Sequence, residues 1–280
     1  MPRRSYLEAI ADHVVVFDGA NGTQLQKYPL TAEDFGGEQY VGCFDYLAIT
    51  RPDVLAEVHS GYFAAGSEVV ETNTFRSNRI TLAEYGLQDR VLEINRAAAR
   101  IARQVADRFE RETGIPRYVA GSIGPTGKLP SSTDPELSNI TFKELEEVYR
   151  EQAQGLVEGG VDLLLVETSQ DILEVKAAVA GIHRYFQESG RRVPLQVQVT
   201  LDTSGRMLLG TDIAAALTTL VYLPIDVIGI NCSTGPEHMR EPVRYLVEHS
   251  PRPISVLPNA GLPLNVDGEA VYPLQPDPFA

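Results

Sequence analysis

The 280-residue sequence is short of positive charge: 24 lysines and arginines stand against 38 aspartates and glutamates, a formal charge of −14. No run of Lys or Arg interrupts that balance, which argues against a surface that tracks phosphates, so no nucleic-acid partner is expected. Cysteine is scarcer still. Cys43 and Cys232 are the only two, too far apart in sequence to read as a disulfide framework, which leaves thiol chemistry or simple burial. No apolar run approaches the ~20 residues that span a bilayer. The start, Met1-Pro-Arg-Arg-Ser5, is followed by Glu8 and Asp12 rather than by an uninterrupted apolar core. Neither a membrane partner nor a secretory leader is therefore expected, and the protein is expected to be cytoplasmic.

What the chain does have is a series of short apolar runs, each closed by groups that can do chemistry. Val14 to Phe17 ends in Asp18 and Gly19, Glu68 to Val70 in Glu71, Thr72 and Asn73, and Tyr118 to Ala120 in Gly121, Ser122, Ile123 and Gly124. Leu163 to Val166 ends in Glu167 and Thr168, and Leu195 to Val199 in Thr200, Leu201 and Asp202. Val227 to Ile230 ends in Asn231 and Cys232, and Ile254 to Leu257 in Pro258 and Asn259. Seven such strands alternating with helical stretches predict an α/β fold, a (β/α)8 TIM barrel whose active site lies at the carboxyl ends of the strands. An eighth strand is not readable. One barrel of roughly 250 residues accounts for the length better than two domains, so residues 1–280 read as one barrel domain, incomplete at its C-terminal side.

Helix boundaries are marked between the strands. Pro52-Asp53 opens an apolar-periodic run through Val54, Leu55, Val58 and Tyr62 that stops at Gly66. Thr141 with Glu144, and Asp171 with Glu174, have capping-box spacing, and Pro236 suits a first helical position. The stretch Asp89 to Arg108, with Leu92, Ile94, Ile101 and Val105, predicts an outer-ring helix. Two connections, Thr23 to Ile49 and Gly124 to Asn139, are longer than a barrel needs, and long loops there tend to carry function. From Asn259 onward the chain is rich in Pro and Gly and reads as strandless.

Cys232, at the end of the sixth run, can be a buried small hydrophobe, a nucleophile or a soft metal ligand. None of His13, His59, His183, His238 and His249 closes a strand, which disfavours a Cys/His hydrolase, and no nearby CxxC, HxxxH or HxE set completes a metal site. Asp18 and Glu167 both face the predicted mouth. They can act as an acid/base pair, hold an ammonium group by charge-assisted hydrogen bonds, or serve as a helix cap and an arginine partner. Gly19, Gly22, Gly121 and Gly124 suit either close backbone approach or plain turns.

Six ordered motifs carry a resemblance: Asp18-Gly-Ala-Asn-Gly-Thr23, Glu71-Thr-Asn-Thr-Phe75, Gly121-Ser-Ile-Gly-Pro125, Glu167-Thr168, Gly229-Ile-Asn-Cys232 and Pro258-Asn-Ala-Gly261. In this order, over about residues 12 to 275, they resemble the motifs of homocysteine S-methyltransferase domains. Gly42-Cys-Phe-Asp-Tyr-Leu47, Leu129-Pro-Ser-Ser-Thr-Asp-Pro135 and Gln170-Asp-Ile-Leu-Glu-Val-Lys176 are most similar to the N-terminal homocysteine-binding module of the cobalamin-dependent methionine synthases.

The resemblance implies zinc-dependent methyl transfer to homocysteine, giving methionine. Zinc would be held by three cysteine thiolates, of which Cys232 matches the first. The other two belong to a Gly-Gly-Cys-Cys-Gly motif on an eighth strand that this sequence does not reach, and Cys43 matches neither. Asn259 matches an asparagine near the metal. Asp18 and Glu167 match the carboxylates expected to hold the amino group, and Thr72, Asn73, Ser77, Gly121 and Ser122 would line the amino-acid pocket. Methylcobalamin on a separate module would donate the methyl group, with cobalamin-binding and methyltetrahydrofolate-binding modules of a longer protein as partners. Two other readings stay open at this point. One is a homocysteine methyltransferase using a small donor such as betaine or S-methylmethionine, or fused to a folate reductase; the other is a non-catalytic homocysteine-binding fragment.

Overall fold

The computed structural model describes residues 3–266 and 269–279. Its centre is one sheet of six parallel strands in sequential order: β1 (Val69–Glu71), β2 (Tyr118–Ile123), β3 (Leu163–Ser169), β4 (Leu195–Val199), β5 (Val227–Asn231) and β6 (Ile254–Leu257). Helices connect consecutive strands, as parallel pairing requires. This is the (β/α) barrel architecture, left open among the described residues, with no eighth parallel strand there.

Alternation along each strand sorts side chains between two layers, because successive residues point to opposite faces. Val70, Val119, Leu164, Val197, Ile228 and Ile230 pack outward with the helices. Val69, Tyr118, Ala120, Leu163, Leu165 and Val227 point inward and meet Tyr6 and Ala9 of the short helix Tyr6–Ile10, which covers the amino-terminal ends of the strands. One end of the barrel is thus filled with apolar groups. By the same parity Glu71, Ser122, Glu167 and Asn231 are inward-facing at the other end.

The helix signals hold with one exception. Pro52 and Pro236 occupy first turns of Pro52–Ala65 and Pro236–His249, and Thr141 with Glu144 forms a reciprocal capping box on Phe142–Gly159. Asp171 caps Ile172–Ser189 through Leu173 N–H, but Glu174 does not reach back to it. It turns inward and accepts from the Thr126 N–H (2.8 Å) and the Tyr149 hydroxyl (2.8 Å). A buried donor pair competes successfully for a carboxylate that local spacing alone assigns to the cap.

Two strand expectations also change. The first predicted strand, from Val14, is reduced to a single bridge between Phe17 and Val69. It pairs on one side, and Val14 and Val16 are 87% and 51% exposed, so neither a second ladder nor burial holds it. The stretch beyond Asn259, expected to be strandless, contains an antiparallel pair, β7 (Leu264–Val266) with β8 (Glu269–Val271). Among the described residues no helix is long and apolar enough to cross a membrane.

Candidate active site

A cavity of about 580 Å³ opens at the carboxyl ends of the strands. Asp18, Glu71, Thr72, Asn73, Ser122, Glu167, Thr168, Asn231, Cys232 and Asn259 all contribute to its wall. The polar ends of six of the seven predicted strands therefore meet where barrel geometry places them, Ser122 coming from within β2 and Asn259 from just after β6.

Three carboxyls dominate the chemistry. Asp18 follows the bridged segment, where its N–H donates to the Val69 carbonyl (2.9 Å), and its Oδ2 accepts from the Glu71 N–H (3.0 Å). Its Oδ1 is buried without a hydrogen-bond partner. Glu167, 6% exposed, accepts from the Ser122 hydroxyl on Oε1 (2.6 Å) and from Asn231 Nδ2 on Oε2 (3.2 Å). Glu71 is close enough to Glu167 and Asp18 for their charges to act on its carboxyl.

Burial is the first cause that pushes all three carboxyls above the usual carboxylate range. The negative charge of Glu167 adds to the rise at both Asp18 and Glu71, while the Ser122, Thr168 and Asn231 donors pull Glu167 itself back down. Desolvated carboxyls without a cation favour their neutral forms, and a bound cation would reverse this.

Asn231 ties the opposite wall together. Its Oδ1 accepts from the Thr168 N–H (2.9 Å), and its Nδ2 donates to Thr168 Oγ1 (2.8 Å) and approaches Cys232 Sγ (3.4 Å). Thr168, Cys232 and Ser233 all hold positive φ angles of 56°, 56° and 62°. Non-glycine residues avoid that region, and such strain concentrates at functional sites. Burial first, then the charge of Glu167, pushes the Cys232 thiol up to about 11. In this environment the thiol keeps its proton at neutral pH.

The remaining site residues divide into those that line the cavity and those that support it. Thr72 contributes to the cavity wall, but its hydroxyl is shared with Thr74 (2.6 Å) and accepts from the Ser122 N–H (3.0 Å). Asn73 Nδ2 donates to the Phe44 carbonyl (2.8 Å), pinning the first long loop over the cavity. Ser77 does not line the cavity. It is fully buried and donates to Asp45 Oδ1 (2.8 Å), so it positions that same loop. Gly121 also lies off the cavity, because a Cβ there would meet Leu156 and Leu164 at 3.1 Å on the helix side of β2. Asn259 is present at the rim, its N–H bonded to the Thr234 carbonyl (3.0 Å).

Cys43 is buried elsewhere, against Tyr46, Leu82 and Val91. Among the described residues no three of His, Cys, Asp and Glu are grouped closely enough to hold a metal ion. One cysteine sulfur, Cys232, stands at the cavity, so these residues do not by themselves fit the three-thiolate zinc centre that the resemblance implies.

Two members of the site were missed by the sequence reading as side chains with roles. Glu71 and Asn231 were visible as strand-closing residues, and the inward parity of Val69 and Val227 would have placed both inside the barrel mouth.

Comparison with known proteins bears on the fold and the family. The chain is 46% identical over 274 residues to a methionine synthase of Mycobacterium leprae and 46% identical over 277 residues to one of Mycobacterium tuberculosis. Each alignment covers 98% of this chain and 22% of the relative, so the chain spans about a fifth of those proteins. The metallated form of the homocysteine methyltransferase MmuM from Escherichia coli superposes with a TM-score of 0.74 at 20% identity, covering 90% of this chain and 86% of that one. Its oxidized form gives 0.73 over 89% and 84%. These two likenesses establish the fold. The sequence pattern of the homocysteine S-methyltransferase family matches residues 15–280, and the chain belongs to that family.

Proposed function

We propose that residues 1–280 form the homocysteine-activating barrel domain of a cytoplasmic methionine synthase. In this reading Cys232, near Asn259, would be one ligand of zinc, and methylcobalamin on a separate module, next to a methyltetrahydrofolate-binding module, would supply the methyl group of methionine. The described residues supply one cysteine sulfur to that centre, and the ammonium end of the site is built from this chain's own side chains.

The observation that carries the reading is a group of desolvated carboxyls with no cation paired to them, Arg76 on the same wall being taken up by Glu84, and with Asp18 Oδ1 unpartnered. A desolvated carboxylate without a counter-charge is costly, and the ammonium group of an amino acid offsets that cost. Asp18 and Glu167 take the ammonium. Thr72, Asn73 and Ser122 border the amino-acid pocket, while Ser77 and Gly121 act from behind it by fixing the Asp45 loop and the close packing of β2. The Cys232 and Asn259 side of the cavity is left for the sulfur end.

Calorimetric titration with L-homocysteine tests this. Glu167→Gln should weaken binding by about 1.5–3 kcal/mol, the range for a charge-assisted hydrogen bond. Unchanged affinity in that variant would overturn the assignment.

A further inference from the structure

The carboxyls that line the cavity are not equally free to receive a ligand. Glu167 is engaged on both oxygens, by Ser122 on one and by Asn231 and Thr168 on the other. Asp18 commits Oδ2 to the Glu71 N–H and leaves Oδ1 open. Glu71 faces the same cavity from the end of β1, and among the described residues no N–H group donates to its carboxyl. The other polar side chains of its motif are committed: Thr72 to Thr74 and Ser122, and Asn73 to Phe44. Within the stretch Glu71-Thr-Asn-Thr74, the side chain left for a ligand is the carboxylate.

A primary ammonium group donates three hydrogen bonds and accepts none. The cavity offers it the open oxygen of Asp18, the carboxyl of Glu71 and the outer lone pairs of Glu167. Hydrogen bonds of ~2.7–3.2 Å also reach further than bonds of ~2.0–2.2 Å from a carboxylate to a metal. Among the described residues these groups form no cluster that could hold a metal ion, and an ammonium, which needs only acceptors at hydrogen-bond distance, is the cation that suits them.

Resting on the homocysteine reading, we propose that Glu71 is a direct ligand of the substrate's ammonium group and a specificity-determining residue for thiols that carry an α-amino group. Glu71 supplies one of the three acceptors. Glu167, held by Ser122 and Asn231, is the oriented member of the set.

The test compares L-homocysteine with 4-sulfanylbutanoate, the same thiol acid without the amino group, by calorimetry on the wild-type protein and on Glu71→Gln and Glu71→Asp. Wild type should prefer homocysteine. Glu71→Gln should lose about ten- to hundredfold of its homocysteine affinity, yet bind 4-sulfanylbutanoate at least as well as wild type, because a like charge near its carboxylate is gone. Glu71→Asp keeps the charge and should recover part of the preference, which keeps the test decisive if the glutamine variant fails to fold. Equal loss for both ligands would mark a merely structural role and overturn the proposal. So would an unchanged preference in both Glu71 variants while Asp18→Asn abolishes it, a result that leaves the homocysteine reading standing. A wild-type protein that does not distinguish the two thiols would instead sink the homocysteine reading itself.

Discussion

Asp18→Asn should move stability and binding in opposite directions. In the free protein Asp18 is half-buried with its Oδ1 enclosed and unpartnered, and the charge that acts on it is that of Glu167. Burial followed by the Glu167 charge raises its proton affinity in the folded state against the pull of the Glu71 N–H. A carboxyl whose folded value lies above its unfolded one binds its proton more tightly in the native state. Folding stability from this group is therefore greatest at low pH and is lost as pH rises from the ordinary carboxylate range toward the raised folded value.

Asparagine removes the titration, keeps an acceptor for the Glu71 N–H, and adds a donor that a neighbouring carboxylate can accept. Relief of a buried, uncompensated charge of this kind is worth about 1–3 kcal/mol. At ~2 °C per kcal/mol for a chain of this length, Tm at neutral pH should rise by about 2–6 °C, and the fall of Tm between pH 5 and 8 should flatten. The same change removes a charged acceptor from the proposed ammonium site, so homocysteine affinity should drop by about 1.5–3 kcal/mol. Differential scanning calorimetry across pH and isothermal titration check the two halves. A variant less stable than wild type at pH 7.5, with affinity intact, would refute the reasoning on both counts.

On the proposed reading, Cys232→Ser in a full-length version of the protein should abolish zinc retention and methyl transfer to homocysteine, since oxygen is a poor substitute for a soft thiolate; full zinc occupancy with wild-type turnover in that variant would reduce Cys232 to a packing residue. Gly181→Ala should destabilise, because its Cβ would sit 2.1 Å from the Glu146 carbonyl oxygen at the seam between helices Phe142–Gly159 and Ile172–Ser189. Forcing those backbones apart should cost about 1–3 kcal/mol, read as a lower Tm. Asp171→Ala removes both the cap on Leu173 and the two bonds that hold Ser131 (2.7 and 2.8 Å). The loop from Gly124 to Asn139 should then be cut faster in limited proteolysis, and unchanged cleavage would show that other contacts hold it.

Much of the architecture could be read from the chain because strand parity and helix caps are local. Runs such as Leu163 to Val166 are buried on both faces and flanked by turn residues, and Thr141 with Glu144 satisfies its own helix end. The signals that failed depended on something distant. Val14 to Phe17 has a strand's composition, but its ladder needs neighbours on both sides, and it has one. Glu174 is pulled from its cap by Thr126 and Tyr149, 48 and 25 residues away in sequence. The pair β7 and β8 was missed although Asp267-Gly268, between the two short apolar runs, is a hairpin signal in the sequence.

The site shows the same division between local and distant causes. Asp18, Glu167, Cys232 and Asn259 were legible because each closes or follows a strand, and the fold brings all four to one cavity. Ser77 was not, since its role is a contact with Asp45 from 32 residues earlier. Gly121 shows parity ignored: Ala120 points inward and the next residue must point out. The rim itself breaks the rules that the rest of the chain obeys, with three non-glycine residues at positive φ and three desolvated carboxyls to which no cation is paired. Each departure costs stability in the free protein. Strain at Thr168 and Cys232 is held by Asn231, which bonds to Thr168, contacts the thiol and restrains Glu167 through one side chain. A single buried amide thus couples the carboxyl end of the cavity to its thiol end. A substrate bridging an ammonium and a sulfur would meet both ends already fixed relative to one another.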